Sequence, residues 1–424
     1  MKPSLFLTVA ALSLLAQPGL AASWDGAFAA ALPPEPIARV AIDAHPDVER
    51  AKSELDLARA QGREYAVGPH EFTLGGYASN RTVTNNQSYE EFGLEVSRAI
   101  RLPGKASLDR AAGDLGVKAA LDLVDDARHQ TGLTLSDAWY AWIEAAGMLT
   151  LDRETEASYR REVDGLKRRV ELSDAAIVEL EQAQAALASA VAHRTQSEGA
   201  VEVARMALAR TFPDLVLPAN PPALPAPPVL DPPAAQWSDI TLRSSHEVAI
   251  ADFQAQQAEA LARRARLDRR PDPTIGVRTL SEFGGREKSI GVFFSTPLGG
   301  AKRSAVADSE AARANTARIH LAQIKRESAA LGERNAANSD STRNAWLSAA
   351  AAVEASETAT RRIQRGYELG ELDLAAVLTA GRQLYEVKRA EISARTNGWR
   401  ALTHLRLDAH DMWHDADDGP LPER

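Results

Sequence analysis

Arg365-Gly366-Tyr367-Glu368-Leu369-Gly370-Glu371-Leu372-Asp373-Leu374, running on as Ala375-Ala376-Val377-Leu378-Thr379-Ala380, is the stretch on which the reading of this chain turns. Two glycines four residues apart break a helical pattern, after which Leu378, Tyr385, Ile392 and Trp399 recur every seven positions. The expected structure is the tip of a helical hairpin. Arg168-Arg169-Val170-Glu171-Leu172-Ser173-Asp174-Ala175-Ala176-Ile177 lies beneath this stretch without a gap, and the match continues to Leu187 opposite Leu384. The chain therefore reads as two copies of one unit.

Working outward, the first copy occupies 22–211. A helical pattern runs from Ile37 through His45-Pro46 to Tyr65 and stops at Gly68-Pro69. Phe72 to Thr84 and Tyr89 to Ile100 read as strands around an Asn85-Asn86-Gln87 turn, within about 72–100. In the second strand Phe92, Leu94 and Val96 share one face, and Glu91, Gly93, Glu95 and Ser97 the other. Leu102-Pro103-Gly104-Lys105 closes the hairpin. A long Ala- and Leu-rich helix carrying Trp139 and Trp142 follows to about Glu156, and the chain turns at a tip over about 168–177. Nine prolines between Phe212 and Trp237 forbid helix and mark an extended linker, 212–236. The second copy, 237–408, repeats the order. Its helix spans His246 to Arg270, Pro271-Asp272-Pro273 stops it, and the strands lie within about 274–296. Ile275, Val277, Ile290, Val292 and Phe294 share a side; the tip lies at about 365–374.

The formal net charge of -9 leaves no basic face for nucleic acid, so no nucleic-acid partner is expected. A 45% apolar content with only 5% aromatics and abundant alanine suits closely packed helices. Met1 to Ala21 has Lys2, an apolar core from Leu5 to Ala16 and a small-x-small end, which reads as a secretory signal peptide. The absence of cysteine excludes disulfides, thiolate metal sites and a lipidated N-terminal cysteine.

Strands of roughly ten residues, apolar on one face, have the length of outer-membrane strands, and only closed barrels or helices satisfy the backbone in lipid. Four strands cannot close a barrel alone, so several chains must pool them. The expected fold is mainly α with a small β part, built from duplicated long-helix hairpins.

The duplicated order, the Pro297-Leu298-Gly299-Gly300 after the last strand and above all the Gly366 to Leu374 motif resemble the TolC-type outer-membrane efflux channels, nearest the branch serving cobalt-zinc-cadmium pumps. The resemblance covers nearly all of the chain beyond the signal peptide. It implies a homotrimer with a trimeric α-helical barrel and a shared twelve-stranded β-barrel in outer-membrane lipid of a Gram-negative bacterium. It further implies a periplasmic adaptor and an inner-membrane resistance-nodulation-division pump as partners, and heavy-metal cations as cargo. Carried over to this chain, the adaptor-contact tips are Val170, Glu171, Leu172 and Ser173, with Gly366, Tyr367, Leu369 and Gly370. Where the best-known member has an aspartate ring after the second tip, this chain has Ala376 and Thr379. Asp174, Glu179, Glu371 and Asp373 are the candidate acidic gate in their place. Within the class the rival is a duct for drugs or secreted proteins; outside it, a periplasmic coiled-coil adaptor or scaffold.

No catalytic constellation or cofactor motif emerges, and no enzyme is expected. Gly104-Lys105 lacks the earlier glycine and the following Ser or Thr of a phosphate loop, because Ala99 and Ala106 stand there. The tail, 409–424, is acidic; His410, Asp411 and His414 form its one candidate metal cluster, against the weightier reading of a solvated end. Arg263, Arg264, Arg266, Arg269 and Arg270 read as a solvated helix face.

Overall fold

The computed structural model describes residues 28, 31–84, 86–410 and 412–413; the signal peptide, Asp411 and His414 lie outside them. The chain is mainly helical with one small antiparallel sheet. Helix α1 (Glu35–Asp43) and helix α2 (Pro46–Val67) replace the single helix expected there. The break falls at His45, which is extended because a proline follows it; its Nδ1 accepts from the Asp47 amide at 3.3 Å. Then come β1 (Phe72–Thr82), β2 (Ser88–Ala99), α3 (Lys105–Glu171) and α4 (Ile177–Thr211). The first long helix runs unbroken to the tip, well past Glu156, because nothing in 157–171 breaks the α conformation.

After the proline stretch come α5 (Trp237–Ser244), α6 (His246–Leu267), β3 (Thr274–Glu282), β4 (Glu287–Ser295), α7 (Ala301–Glu368) and α8 (Leu374–Asp408). The two long hairpins match closely. Helices α3 and α7 have 67 and 68 residues, and α4 and α8 have 35 each.

The strands pair in the order β1-β2-β3-β4, every neighbour antiparallel. One register row sets Leu74 beside Val96, Val96 beside Val277, and Val277 beside Val292. All four are exposed, as are Leu94, Ile275, Ile290 and Phe294 on the same face. The opposite face carries Glu91, Glu95 and Arg278. There Tyr77 lies over Gly93 and Phe293 over Gly276; a Cβ on Gly93 would fall 2.1 Å from the Tyr77 ring. Glycine is required at Gly93 because the ring occupies the space a side chain would take.

By compactness the chain divides into two units, each drawing on both copies. The unit formed by 39–135, 231–338 and 402–424 contains the sheet. In it α2 packs on α3 through Ala51, Leu55, Ala120 and Val124. Gly113 brings the helices into backbone contact, since a Cβ there would sit 2.9 Å from Gly62 Cα.

The other unit, 1–38, 136–230 and 339–401, contains both tips. Its core includes Trp139, Tyr140, Trp142 and Trp399, all nearly inaccessible. Burying such rings contributes roughly 4–6 kcal/mol each before entropy, at about 25 cal/mol per Å² over ~150–250 Å². Trp139 Nε1 donates to the Ala31 carbonyl at 2.9 Å. The proline linker is no bare spacer. It lies along this core: Trp399 Nε1 donates to the Pro225 carbonyl at 2.8 Å, and Arg395 and Arg343 donate to the carbonyls of Leu224 and Pro227. Proline has no amide hydrogen but keeps its acceptor, so an extended proline run presents carbonyls that helix side chains satisfy.

Candidate functional site

The two tips share one backbone turn. At the first, the Asp174 amide donates to the Arg169 carbonyl at 2.7 Å and the Ser173 amide to that of Val170 at 2.9 Å. At the second, Glu371 donates to Gly366 at 2.9 Å and Gly370 to Tyr367 at 3.0 Å. These are paired six-to-one and five-to-two bonds, which require a left-handed residue after the helix. Ser173 and Gly370 supply it, at φ 61° and 75°. Gly366 does not break the helix as the sequence suggested. It stays inside α7 and is buried, because a Cβ there would meet Leu372 Cδ1 at 2.8 Å.

Arg169 ties the tips together. Its Nη1 donates to the Tyr367 hydroxyl at 2.9 Å, and its Nε donates to Asp174 Oδ2 at 3.0 Å. The Asp174 bond is the main cause holding the Arg169 pKa above the usual arginine value. Tyr367 is half-buried; burial is the main cause raising its phenol, with the nearby Glu179 charge adding and Arg169 opposing. Beneath lies an apolar cluster of Val163, Leu166, Ala183 and Leu374.

The tip residues named from the sequence fall into two groups. Leu172 and Leu369 are exposed, 78% and 58%, as are Glu171, Ser173 and Gly370, whereas Val170 and Tyr367 are half-buried. Of the acidic candidates Glu371 is exposed and Glu179 half-buried. Asp174 is engaged by Arg169, and Asp373 Oδ1 caps α8 by accepting from the Ala376 amide at 2.8 Å. Sequence reasoning missed Arg169, whose only signal was its place beside the aligned Arg168.

Farther along the hairpins, Tyr385 donates to the buried Asp152 at 2.7 Å and meets Arg389 and His193 Nδ1, each at 2.8 Å. One hydroxyl thus joins α3, α4 and α8.

Next to the sheet, Lys105 is 1% exposed and contacts Asp268, Asp272 and the Arg270 carbonyl, each at 2.8 Å. Asp272 also meets His70 Nε2 at 2.8 Å and the Leu102 amide at 3.0 Å. Burial alone would raise the Asp272 pKa; the bonds from Lys105, His70 and Leu102 outweigh it and hold the carboxyl down at about 2. Arg264 is half-buried and paired with Asp109 and Asp268, which corrects the expectation of a wholly solvated basic run.

Of the candidate tail cluster only His410 is among the described residues. Its ring contacts His246 at a 4.1 Å centroid distance and His129 at 5.1 Å.

The described residues include no helix long and apolar enough to cross a membrane. Solved structures nevertheless share this architecture. A membrane protein from Pseudomonas aeruginosa superposes with a TM-score of 0.77 at 18% identity, covering 89% of this chain and 91% of that one. The outer-membrane channel OprN gives 0.76 at 17% identity, covering 89% of each chain. The outer membrane protein VceC of Vibrio cholerae gives 0.73 at 16% identity, over 88% and 95%. The chain has the fold of outer-membrane channels. No protein-family model and no curated protein sequence matches it.

Proposed function

We propose that this chain is one protomer of a passive outer-membrane exit duct in a tripartite efflux system, with heavy-metal cations as cargo. The observation carrying the duct reading is the sheet: four strands with open edges at β1 and β4 among the described residues, and one face apolar yet exposed. Such a surface is stable only where lipid covers the apolar face and further strands take up the edge hydrogen bonds. Three chains pooling their strands close a twelve-stranded barrel.

The exposed Leu172 and Leu369 at the tips are the contact for a periplasmic adaptor, which links the duct to an inner-membrane resistance-nodulation-division pump. The Arg169–Tyr367 bond acts as a latch between the hairpins, released when the adaptor displaces the tips. Nothing in the duct performs chemistry; the pump supplies the work. The cargo reading rests on the Gly366 to Leu374 motif.

The deciding experiment compares retention of zinc, cobalt, cadmium, nickel and copper with that of an organic dye in cells lacking the protein and in complemented cells. Metal accumulation without dye accumulation is expected. Accumulation of dye alone overturns the cargo and keeps the duct; no change for either overturns the efflux role and leaves a duct for secreted proteins or a scaffold.

A further inference from the structure

Helix α3 presents Asp122, Asp125, Asp126 and His129 along one face, and the first turn of α6 brings His246 and Glu247 against it. Two sets of ligand-type atoms result among the described residues, each within 4.8 Å of one another: Asp122, Asp125 and His246, and Asp126, His129 and Glu247. In the first set His246 and Asp125 already hold other contacts. The second set differs in a telling way.

The His129 side chain is 7% exposed, yet its Nδ1 has no hydrogen-bond partner, and neither does the buried Asp126 Oδ1 facing it. The two atoms stand 4.0 Å apart. That gap is too long for a hydrogen bond, but a divalent ion with bonds of about 2.0–2.2 Å to nitrogen and oxygen spans it with a small contraction. The other ring nitrogen is already committed: His129 Nε2 lies 3.0 Å from Asp408 Oδ1. Burial alone would lower the His129 pKa, but Asp126, Asp408 and Glu247 outweigh it and hold it up at about 9, so the pocket is built for a positive charge. A divalent ion takes the place of the Nδ1 proton beside Asp126 while Nε2–H keeps donating to Asp408. A carboxylate holding the far nitrogen of a histidine is the usual outer support of a metal-bound imidazole. Asn335 donates to the other Asp408 oxygen, and Ser245, which caps α6, donates to Glu247 Oε2 at 2.7 Å. The carboxylates are thus oriented before any ion arrives.

We propose that Asp126, His129 and Glu247 form a resident binding site for a divalent transition-metal ion of the zinc class, with Asp408 positioning the histidine. One nitrogen and two carboxylates suit zinc, cobalt or manganese, with water completing the shell. The ion staples the first copy, through α3, to the second, through α6. It is separate from any transported cargo, so the site does not depend on the efflux reading.

The test uses the untagged full-length chain in detergent, stripped with chelator and titrated with zinc chloride. One zinc ion per chain at micromolar affinity or tighter is expected, with X-ray absorption showing one imidazole nitrogen among oxygen ligands. Glu247→Gln and His129→Ala each weaken binding at least tenfold. Asp408→Asn, which leaves every ligand in place, weakens it by about 10–100-fold. Glu247→Gln is nearly isosteric and answers the question should His129→Ala misfold. Absence of zinc binding overturns the proposal. So does zinc binding that survives Glu247→Gln and Asp408→Asn but is lost in His414→Ala, which would assign the ion to the tail.

Discussion

Ser173 and Gly370 adopt the same left-handed turn, and only glycine does so without strain. Ser173→Gly is therefore expected to raise stability by up to about 1 kcal/mol, and Gly370→Ala to lower it by a similar amount. Urea unfolding monitored by circular dichroism measures both. At the latch, Tyr367→Phe removes the acceptor of the 2.9 Å bond from Arg169. The contact is partly exposed, so the stability loss stays at about 1 kcal/mol or less. Single-channel conductance in planar bilayers should rise, and an unchanged trace would show that the bond does not hold the tips closed. Lys105 is the opposite case, buried and shared by two carboxylates. Lys105→Met leaves Asp272 with His70 and the Leu102 amide and should cost about 1.5–3 kcal/mol, the range for a hydrogen bond to a charged group. Because Asp272 titrates near 2 when folded, below its ordinary 3.8, its contribution is complete above about pH 4 and is lost as pH falls toward 2. Acid unfolding should therefore begin at higher pH in Asp272→Asn, which lacks that contribution at every pH.

At the scale of the element, the sheet is defined by period-two alternation and the hairpins by period seven. Val277 sits in the row that runs Leu74, Val96, Val277, Val292 across all four strands. If that row faces lipid, Val277→Arg near the midplane costs about 2–4 kcal/mol per chain. The expected result is loss of the protein from the outer-membrane fraction, read by fractionation and immunoblot. A variant that still inserts normally would place this face away from lipid. The strand alternation was legible because burial in a strand depends only on position parity. The tip turns were legible in part: the sequence located the left-handed residue at Gly370 but also credited Gly366, whose role is to make room for Leu372. Space between side chains from different segments has no local signature.

On the scale of the whole molecule, the apolar face of the sheet is exposed and the edges at β1 and β4 are open among the described residues; under the proposed function these are surfaces for further copies of the chain. Native mass spectrometry of the detergent-solubilised protein is expected to give three chains per particle. A monomer that retains the full helical spectrum would remove the pooled barrel from the proposal. The Arg169–Tyr367 bond belongs at this scale too, since it joins residues 198 positions apart and forms only when the two hairpins pack together.

The sequence by itself determined the duplicated helix, strand-pair and long-hairpin order, the apolar face of each strand and the position of the hairpin tips. Each follows from spacing and from residues such as proline and glycine that act on their own backbone. Only the tertiary structure decided the partners: Arg169 with Tyr367, Lys105 with Asp268 and Asp272, the proline carbonyls with Trp399 and Arg395, and His129 with Asp408, 279 positions away. A lysine after a glycine, a solvated-looking arginine run and scattered histidines read alike whether exposed or buried. Their chemistry is set by which charges reach them once water is excluded, and folding alone brings those charges together.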